Sequence, residues 1–122
     1  MAKQVLLIED EPNIIEAVSF ILKREGWDVS THSNGADAVE VIRTRAPAMV
    51  ILDVMLPGKS GYDILADLRA DAGTAELPVL MLTARGQTRD REMAERAGAS
   101  RFMTKPFANA DVLEAVREMV GE

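Results

Sequence analysis

The segment VLLIEDEP, residues 5–12, joins a short apolar run directly to three acidic residues and a proline. Four consecutive apolar residues predict a strand that is buried on both faces, as in a parallel sheet. Pro12 suits the first turn of a helix. Apolar residues then recur at helical spacing, at Ile14, Ile15, Val18, Ile21 and Leu22. The segment therefore predicts a buried strand followed by an amphipathic helix.

The same strand–helix unit recurs four more times along the chain. The further predicted strands are 28–32, 49–52, 79–82 and 101–103, and the helices that follow them lie around 38–42, 61–68, 89–97 and 112–120. Parallel strands joined by crossover helices are the standard arrangement for this pattern. Because the second run alternates polar and apolar residues, we place it at an edge of the sheet. We predict an α/β, flavodoxin-like (βα)5 three-layer sandwich, whose five parallel strands have the order 2-1-3-4-5.

Composition limits the functions that the chain can carry out. Its 122 residues suit one domain over residues 1–122, and its net charge of -6 argues against direct nucleic-acid binding by this chain. The absence of cysteine excludes a disulfide framework, a thiol nucleophile and a Cys-based zinc site. A single histidine, His32, excludes a multi-histidine metal site and leaves little room for a Ser-His-Asp triad.

The distribution of apolar residues predicts where the chain resides. The apolar runs are far shorter than a membrane-spanning helix requires. Residues 1–7 lack the pattern of a signal peptide and lead straight into the first strand. We therefore expect a cytoplasmic protein with no membrane partner.

Polar residues follow four of the predicted strands. Glu9 and Asp10 end the first strand, Asp53 ends the third, Thr83 ends the fourth and Lys105 lies close after the fifth. Each has a structural explanation by itself, as a cap, a solvated charge or, for Asp10 and its neighbour Glu11, a favourable charge at a helix N-terminus. In parallel sheets, however, sites form beyond the carboxyl ends of the strands. We expect these side chains to meet at one edge of the sheet.

The expected cluster has the chemistry of a phosphoryl-transfer site. Carboxylates that repel one another are stabilised by a cation, and oxygen ligands without His or Cys select Mg²⁺, Mn²⁺ or Ca²⁺, with Mg²⁺ favoured by a small ligand set. Lys105 and the Thr83 hydroxyl are suitable donors to phosphoryl oxygens. A carboxylate can itself be the nucleophile. Asp53 is the best candidate because apolar Leu52 and Val54 flank it.

Four short motifs carry a family resemblance. They are IEDEP at 8–12, LDVMLPG at 52–58, LTAR at 82–85 and TKPF at 104–107. In this order and spacing they resemble the CheY-like receiver domain of bacterial two-component response regulators, and the resemblance covers the whole chain. It implies a Mg²⁺-dependent signalling switch rather than a metabolic enzyme. A sensor histidine kinase or a histidine phosphotransfer protein would donate the phosphoryl group, and the domain would later dephosphorylate itself.

The resemblance also assigns roles to individual residues. It implies that Asp53 is the phosphoacceptor and that Asp10, Asp53 and the Met55 backbone carbonyl bind Mg²⁺ directly, with Glu9 acting through water. Lys105 would contact first the acceptor carboxylate and then the phosphoryl group, after a cis peptide bond to Pro106. The expected switch residues are Thr83 and Phe102, where Phe102 stands in place of the commoner tyrosine. Met55 and Arg85 are expected to tune the lifetime of the phosphoryl group.

The motifs LPG and TAR also resemble a subfamily that dimerises through its fourth helix, fifth strand and fifth helix. Arg91 and Asp111 fit the charge pattern of that subfamily. Ser100 and Arg101 stand where it often has an acidic pair, and Ala115 stands where it often has a basic residue. A solvated helix surface accounts for the same charges equally well, so both interpretations stay open.

Three other functions compete with the switch. Haloacid-dehalogenase-type phosphatases carry a second Asp two residues after the nucleophile, where this chain has Met55. A flavodoxin-like cofactor binder would have to accept a flavin phosphate among three acids, and the chain has only one Trp, one Tyr and three Phe for stacking. A receiver-shaped module that is never phosphorylated would not need the complete set of acids together with Thr83 and Lys105. The kinase, the output and the possible membership of a longer regulator are left open.

Overall fold

All the predicted strands and helices are present. The computed structural model describes residues 3–83 and 88–120, without the side chains of residues 88–91 and 94. The strands are β1 (Gln4–Ile8), β2 (Asp28–His32), β3 (Met49–Asp53), β4 (Val79–Thr83) and β5 (Arg101–Thr104). The helices are α1 (Pro12–Arg24), α2 (Ala38–Arg45), α3 (Gly61–Ala70), α4 (Thr88–Ala97) and α5 (Asn109–Val120).

The strands form one parallel sheet in the order β2-β1-β3-β4-β5, which confirms the predicted topology. Strand β1 lies between β2 and β3, with Ile8 opposite both His32 and Leu52. The central strands β3 and β4 are buried along their whole length, whereas in β2 only Val29 is buried and the other four residues are partly or fully accessible. This difference explains why the polar pattern of β2 correctly placed it at an edge.

Successive strand residues point to opposite sides of the sheet, so the apolar strands make both faces apolar. Helices cover both faces. On one face, Val5 and Leu7 of β1 pack with residues of α1 and α5, including Val18 and Val116. On the other face, Leu6 and Ile8 of the same strand pack with residues of α2 and α3. The sheet and the helices packed on each of its two faces form the predicted three-layer sandwich. No helix in the described part of the chain is long and apolar enough to cross a membrane.

The strands end at the residues that matter for the site. Strands β3 and β4 run one residue further than their apolar runs, so that Asp53 and Thr83 belong to the sheet itself. Beyond β5, the backbone N–H of Lys105 donates to the Thr83 carbonyl at 2.8 Å, which continues the pairing by one more bond. The ladder therefore fixes the directions of these side chains. Arg85 and the side chain of Arg91 lie outside the described residues.

Candidate functional site

The carboxyl ends of β1 and β3 bring three carboxylates together. One oxygen each from Glu9, Asp10 and Asp53 lies within 4.8 Å of the others. Glu9 and Asp53 are buried, whereas Asp10 is exposed. Two buried like charges side by side are unfavourable unless a proton or a cation neutralises them. The cluster is therefore able to hold a hard divalent cation through oxygen ligands.

Lys105 stands among these carboxylates, just beyond the end of β5. Its Nζ atom lies 3.1 Å from Asp53 Oδ1 and 3.1 Å from Glu9 Oε1. It also lies 3.0 Å from Oε1 of Glu11, which the sequence interpretation treated only as a charge near the start of α1. The available signal was the position of Glu11 directly after the two acids that end β1. The peptide bond between Lys105 and Pro106 is cis, as the resemblance implies.

Two oxygens of the cluster have no hydrogen-bond partner among the residues that the structure describes. Glu9 Oε2 accepts the backbone N–H groups of Asp10 at 3.0 Å and Glu11 at 3.1 Å. Glu9 Oε1 is buried and has only its ion-pair contact with Lys105, and Asp53 Oδ2 is buried with no hydrogen-bond partner among the described residues. Buried polar atoms without partners are uncommon and need an explanation. A cation with its bound water would satisfy both oxygens, so the donor set fits Mg²⁺ or Mn²⁺.

The other predicted site residues lie around this cluster. Thr83 is buried at the end of β4, and its hydroxyl donates to the Met103 carbonyl over a long 3.4 Å. Phe102 on β5 is half-buried and packs against the apolar layer on the α2 and α3 face of the sheet. Met55 follows β3, two residues after Asp53, and is 70% exposed. The structure thus places Thr83 and Met55 beside the acidic cluster, whereas Phe102 lies further back in the sheet, opposite Met81 of β4.

Comparison with known proteins identifies the family. The family model of the response regulator receiver domain matches residues 5–117. The chain belongs to the receiver domain family. This family serves two-component signalling, so the chain is a signalling domain rather than a metabolic enzyme.

Two curated relatives of this receiver domain are about twice as long as the segment that matches it. It is 40% identical over 116 residues to the "Probable transcriptional regulatory protein TcrX" of Mycobacterium tuberculosis. It is 35% identical over 117 residues to the DNA-binding response regulator MtrA of Mycolicibacterium smegmatis. These alignments cover 95% and 96% of the chain but 49% and 50% of the relatives. The receiver domain therefore spans about half the length of the relatives it matches.

A solved structure has the same fold together with a bound metal. It is the receiver domain of the sensor histidine kinase PA1611 from Pseudomonas aeruginosa, with a magnesium ion coordinated in its active-site cleft. It superimposes on the present receiver domain with a TM-score of 0.90 at 26% identity, and the match covers 100% of both chains. The acidic cluster of Glu9, Asp10 and Asp53 is consistent with a magnesium site of this kind.

The electrostatics of the receiver domain site depend on burial. Burial raises the pKa of Glu9 to about 7, and the charge of Asp53 adds to this rise. The backbone N–H of Glu11 and the ammonium group of Lys105 oppose it. Burial alone lowers the pKa of Lys105, but its contacts with Glu11 and Glu9 and the charge of Asp53 outweigh burial and hold that pKa above its ordinary value. Lys105 is therefore charged at neutral pH, and Glu9 is poised to exchange a proton for a cation.

The raised pKa of Glu9 predicts the pH dependence of the metal-free stability. Between the ordinary value of 4.5 and about 7, the native state binds more protons than the unfolded state. The stabilisation is fully present below this window and is lost as pH rises through it. We expect the free energy of unfolding in EDTA to fall by about 2 kcal/mol between about pH 5 and about pH 8. Urea denaturation of the wild type and of Glu9→Gln measures this, because the variant should lose the slope; equal slopes would exclude Glu9 as its source.

The face formed by α4, β5 and α5 departs from the dimerising pattern in its contacts as well as in its sequence. Ala115 is buried in the core, so it offers no side chain to a partner at that position. Arg101 forms an ion pair with Glu118 of the same receiver domain. Ala115 and Arg101, two of the positions that differ from the dimerising subfamily, thus make contacts within the chain.

Proposed function

We propose that this receiver domain is a phosphorylation switch in which Asp53 accepts a phosphoryl group. The observation that carries the proposal is the difference between the two oxygens of Asp53. Lys105 contacts Oδ1 at 3.1 Å, whereas Oδ2 is buried and has no hydrogen-bond partner within residues 3–83 and 88–120. A carboxylate with an unpaired oxygen beside a positive charge is suited to nucleophilic attack on phosphorus. The donor is a phosphohistidine of a sensor histidine kinase or a histidine phosphotransfer protein, the partner class that the family implies.

The transfer makes one bond and breaks one bond. A carboxylate oxygen of Asp53 bonds to phosphorus while the phosphorus–nitrogen bond of the phosphohistidine breaks. The histidine ring carries a proton on its other nitrogen and keeps the electron pair of that bond, so the products are an aspartyl phosphate and a neutral imidazole. Lys105 neutralises charge on the phosphoryl oxygens, which is where charge is concentrated during phosphoryl transfer.

The residues of the acidic cluster fit Mg²⁺, and Mn²⁺ satisfies the same ligand chemistry. Asp10, Asp53 and the backbone carbonyl of Met55 would hold the ion directly, and Glu9 would act through a water molecule. The ion supplies positive charge at the phosphoryl oxygens when it is bound. Glu9 Oε1 and Asp53 Oδ2, which are buried and have no hydrogen-bond partner in the part of the chain that the structure describes, support this assignment.

The conformational response is proposed to pass through Thr83 and Phe102. The hydroxyl of Thr83 makes a 3.4 Å bond to the Met103 carbonyl, which is weak by its length. A phosphoryl oxygen on Asp53 is a stronger, charged acceptor and would draw the hydroxyl toward it. Because Phe102 precedes Met103 on β5 and is half-buried, movement at Thr83 would change the packing of its ring.

The switch is proposed to reset by hydrolysis, in which water attacks the phosphorus of the aspartyl phosphate and restores the carboxylate of Asp53. Met55 is exposed two residues after Asp53, and it influences the access of this water. With its net charge of -6, the domain is not expected to contact DNA itself. The output would belong to a separate domain or partner protein.

The direct test is covalent labelling with a small phosphodonor. Incubation of the chain with acetyl phosphate and Mg²⁺ should add the mass of one phosphoryl group, and EDTA should prevent this addition. Phosphate esters should not be turned over, which separates the switch from a phosphatase. An unchanged mass under conditions that label another receiver domain would refute the proposal.

A further inference from the structure

Two loops at the carboxyl edge of the sheet are joined by their backbones. They are the β2–α2 loop, residues 33–37, and the β3–α3 loop, residues 54–60. The backbone N–H of Gly35 donates to the carbonyl of Pro57 at 2.8 Å. Asn34 Oδ1 accepts the backbone N–H of Ala36 at 2.7 Å, which holds the first loop in a tight turn. Gly35 itself is buried at the contact.

Only a glycine permits this approach at position 35. A Cβ atom there would lie 2.1 Å from the carbonyl oxygen of Lys59, and 3.0 Å from its carbonyl carbon. These are backbone atoms, which cannot rotate away, so any larger residue has to separate the two loops. The contact also needs a glycine in the β3–α3 loop. Gly58 has a φ of +88°, and a Cβ there would lie 2.7 Å from Asn34 Oδ1. The contact is thus a backbone-to-backbone brace.

The brace fixes the far end of the β3–α3 loop, whereas β4 fixes the near end. The N–H of Val54 donates to the Leu82 carbonyl at 3.1 Å, and the N–H of Gly61 donates to the Val54 carbonyl at 2.9 Å. Met55 lies between Val54, which is bonded to β4, and Pro57, which is bonded to Gly35. Met55 is 70% exposed, so packing does little to hold it. The position of the Met55 backbone therefore depends on the hydrogen bonds at the two ends of the loop and on the bond from the Leu56 N–H to the Val54 carbonyl, at 3.2 Å.

We propose that Gly35 is a positioning residue for the divalent cation, acting through the backbone contact of the two loops. Its close approach to Lys59 and its bond to Pro57 hold the Met55 carbonyl where the ion needs it. The inference rests on the proposed function, because it takes the Met55 carbonyl as a ligand of the ion. Gly35 itself contacts neither the cation nor the phosphoryl group.

The test is the Mg²⁺ dissociation constant of Gly35→Ala, measured from amide chemical shifts during titration of the metal-free protein. We expect the constant to rise about tenfold, as for other residues that position metal ligands. The matched control is Gly73→Ala, where an added Cβ meets its nearest atom, Asp71 Oδ1, at an ordinary 3.7 Å. A second control, Val116→Ala, loosens the core on the opposite face of the sheet. Both controls should keep the wild-type constant, which separates positioning from general destabilisation.

Further outcomes complete the test. If Gly35→Ala does not fold, Asn34→Ala replaces it, because this variant removes the turn bond to Ala36 without creating a clash. It should weaken Mg²⁺ binding in the same direction by a smaller factor. A wild-type constant in a folded Gly35→Ala, or in Asn34→Ala where it is the replacement, overturns the inference while the proposed function stands. A wild-type chain that neither binds Mg²⁺ nor accepts a phosphoryl group overturns both.

Discussion

Asp53→Asn should abolish phosphorylation of the chain completely. Asparagine has nearly the same shape as aspartate, and its amide oxygen can still accept from Lys105, but it has no carboxylate nucleophile. Intact-mass measurement after treatment with acetyl phosphate and Mg²⁺ should show one added phosphoryl group in the wild type and none in the variant. The matched control is Asp28→Asn, an exposed carboxylate at the start of β2, at the opposite edge of the sheet. This control should be labelled like the wild type.

The same variant should be more stable than the wild type in the absence of metal. The charge of Asp53 contributes to the raised pKa of Glu9, so its removal lowers that pKa and relieves repulsion between two buried groups. A relief of one pKa unit corresponds to about 1.4 kcal/mol. Urea denaturation in EDTA at about pH 8 should therefore show a gain of about 1 kcal/mol. A full phosphoryl label on Asp53→Asn, or a loss of stability, would contradict the assigned role of Asp53.

The fold was predictable because the apolar pattern of each strand indicates how completely that strand is buried. The runs Val50–Leu52 and Val79–Leu82 are apolar at every position, which is the pattern of strands covered on both faces. The alternation of polar and apolar residues in 28–32 then predicted an edge position for β2. Since the carboxyl ends of parallel strands meet at the same edge of a sheet, the sequence alone predicts that the polar residues after the runs lie together.

The contacts within the site were less predictable because they depend on geometry that residue patterns do not carry. The ion pair between Glu11 and Lys105 depends on where α1 begins relative to β5, and boundaries are the least certain part of any prediction from sequence. The brace between Gly35 and Lys59 joins two loops that are distant in sequence. The Asn34-Gly35 pair signalled a turn, but not its neighbour. Local propensity thus predicts the elements, while loop-to-loop contacts need the assembled sheet.

Lys105→Met should slow the phosphorylation of Asp53 by about a hundredfold or more, the usual cost of losing a donor to developing negative charge. Methionine keeps a side chain of similar length and apolar character but removes the only ammonium group that contacts Asp53, Glu9 and Glu11 in the described part of the chain. The rate of mass gain with acetyl phosphate and saturating Mg²⁺ measures this effect. Lys23→Met, at an exposed site in the last turn of α1, is the matched control and should react like the wild type.

Lys105→Met should also change how the metal-free protein responds to pH. Since Lys105 lowers the pKa of Glu9, its loss should raise that pKa further and leave two buried carboxylates without a cation. Stability in EDTA should therefore fall more steeply with rising pH in the variant than in the wild type, and Mg²⁺ should restore much of the difference. If Lys105→Met is instead labelled at the wild-type rate and keeps the wild-type pH slope, Lys105 neither neutralises the phosphoryl group nor balances the acidic cluster. Slow labelling with an unchanged slope would separate the two roles and leave only the first.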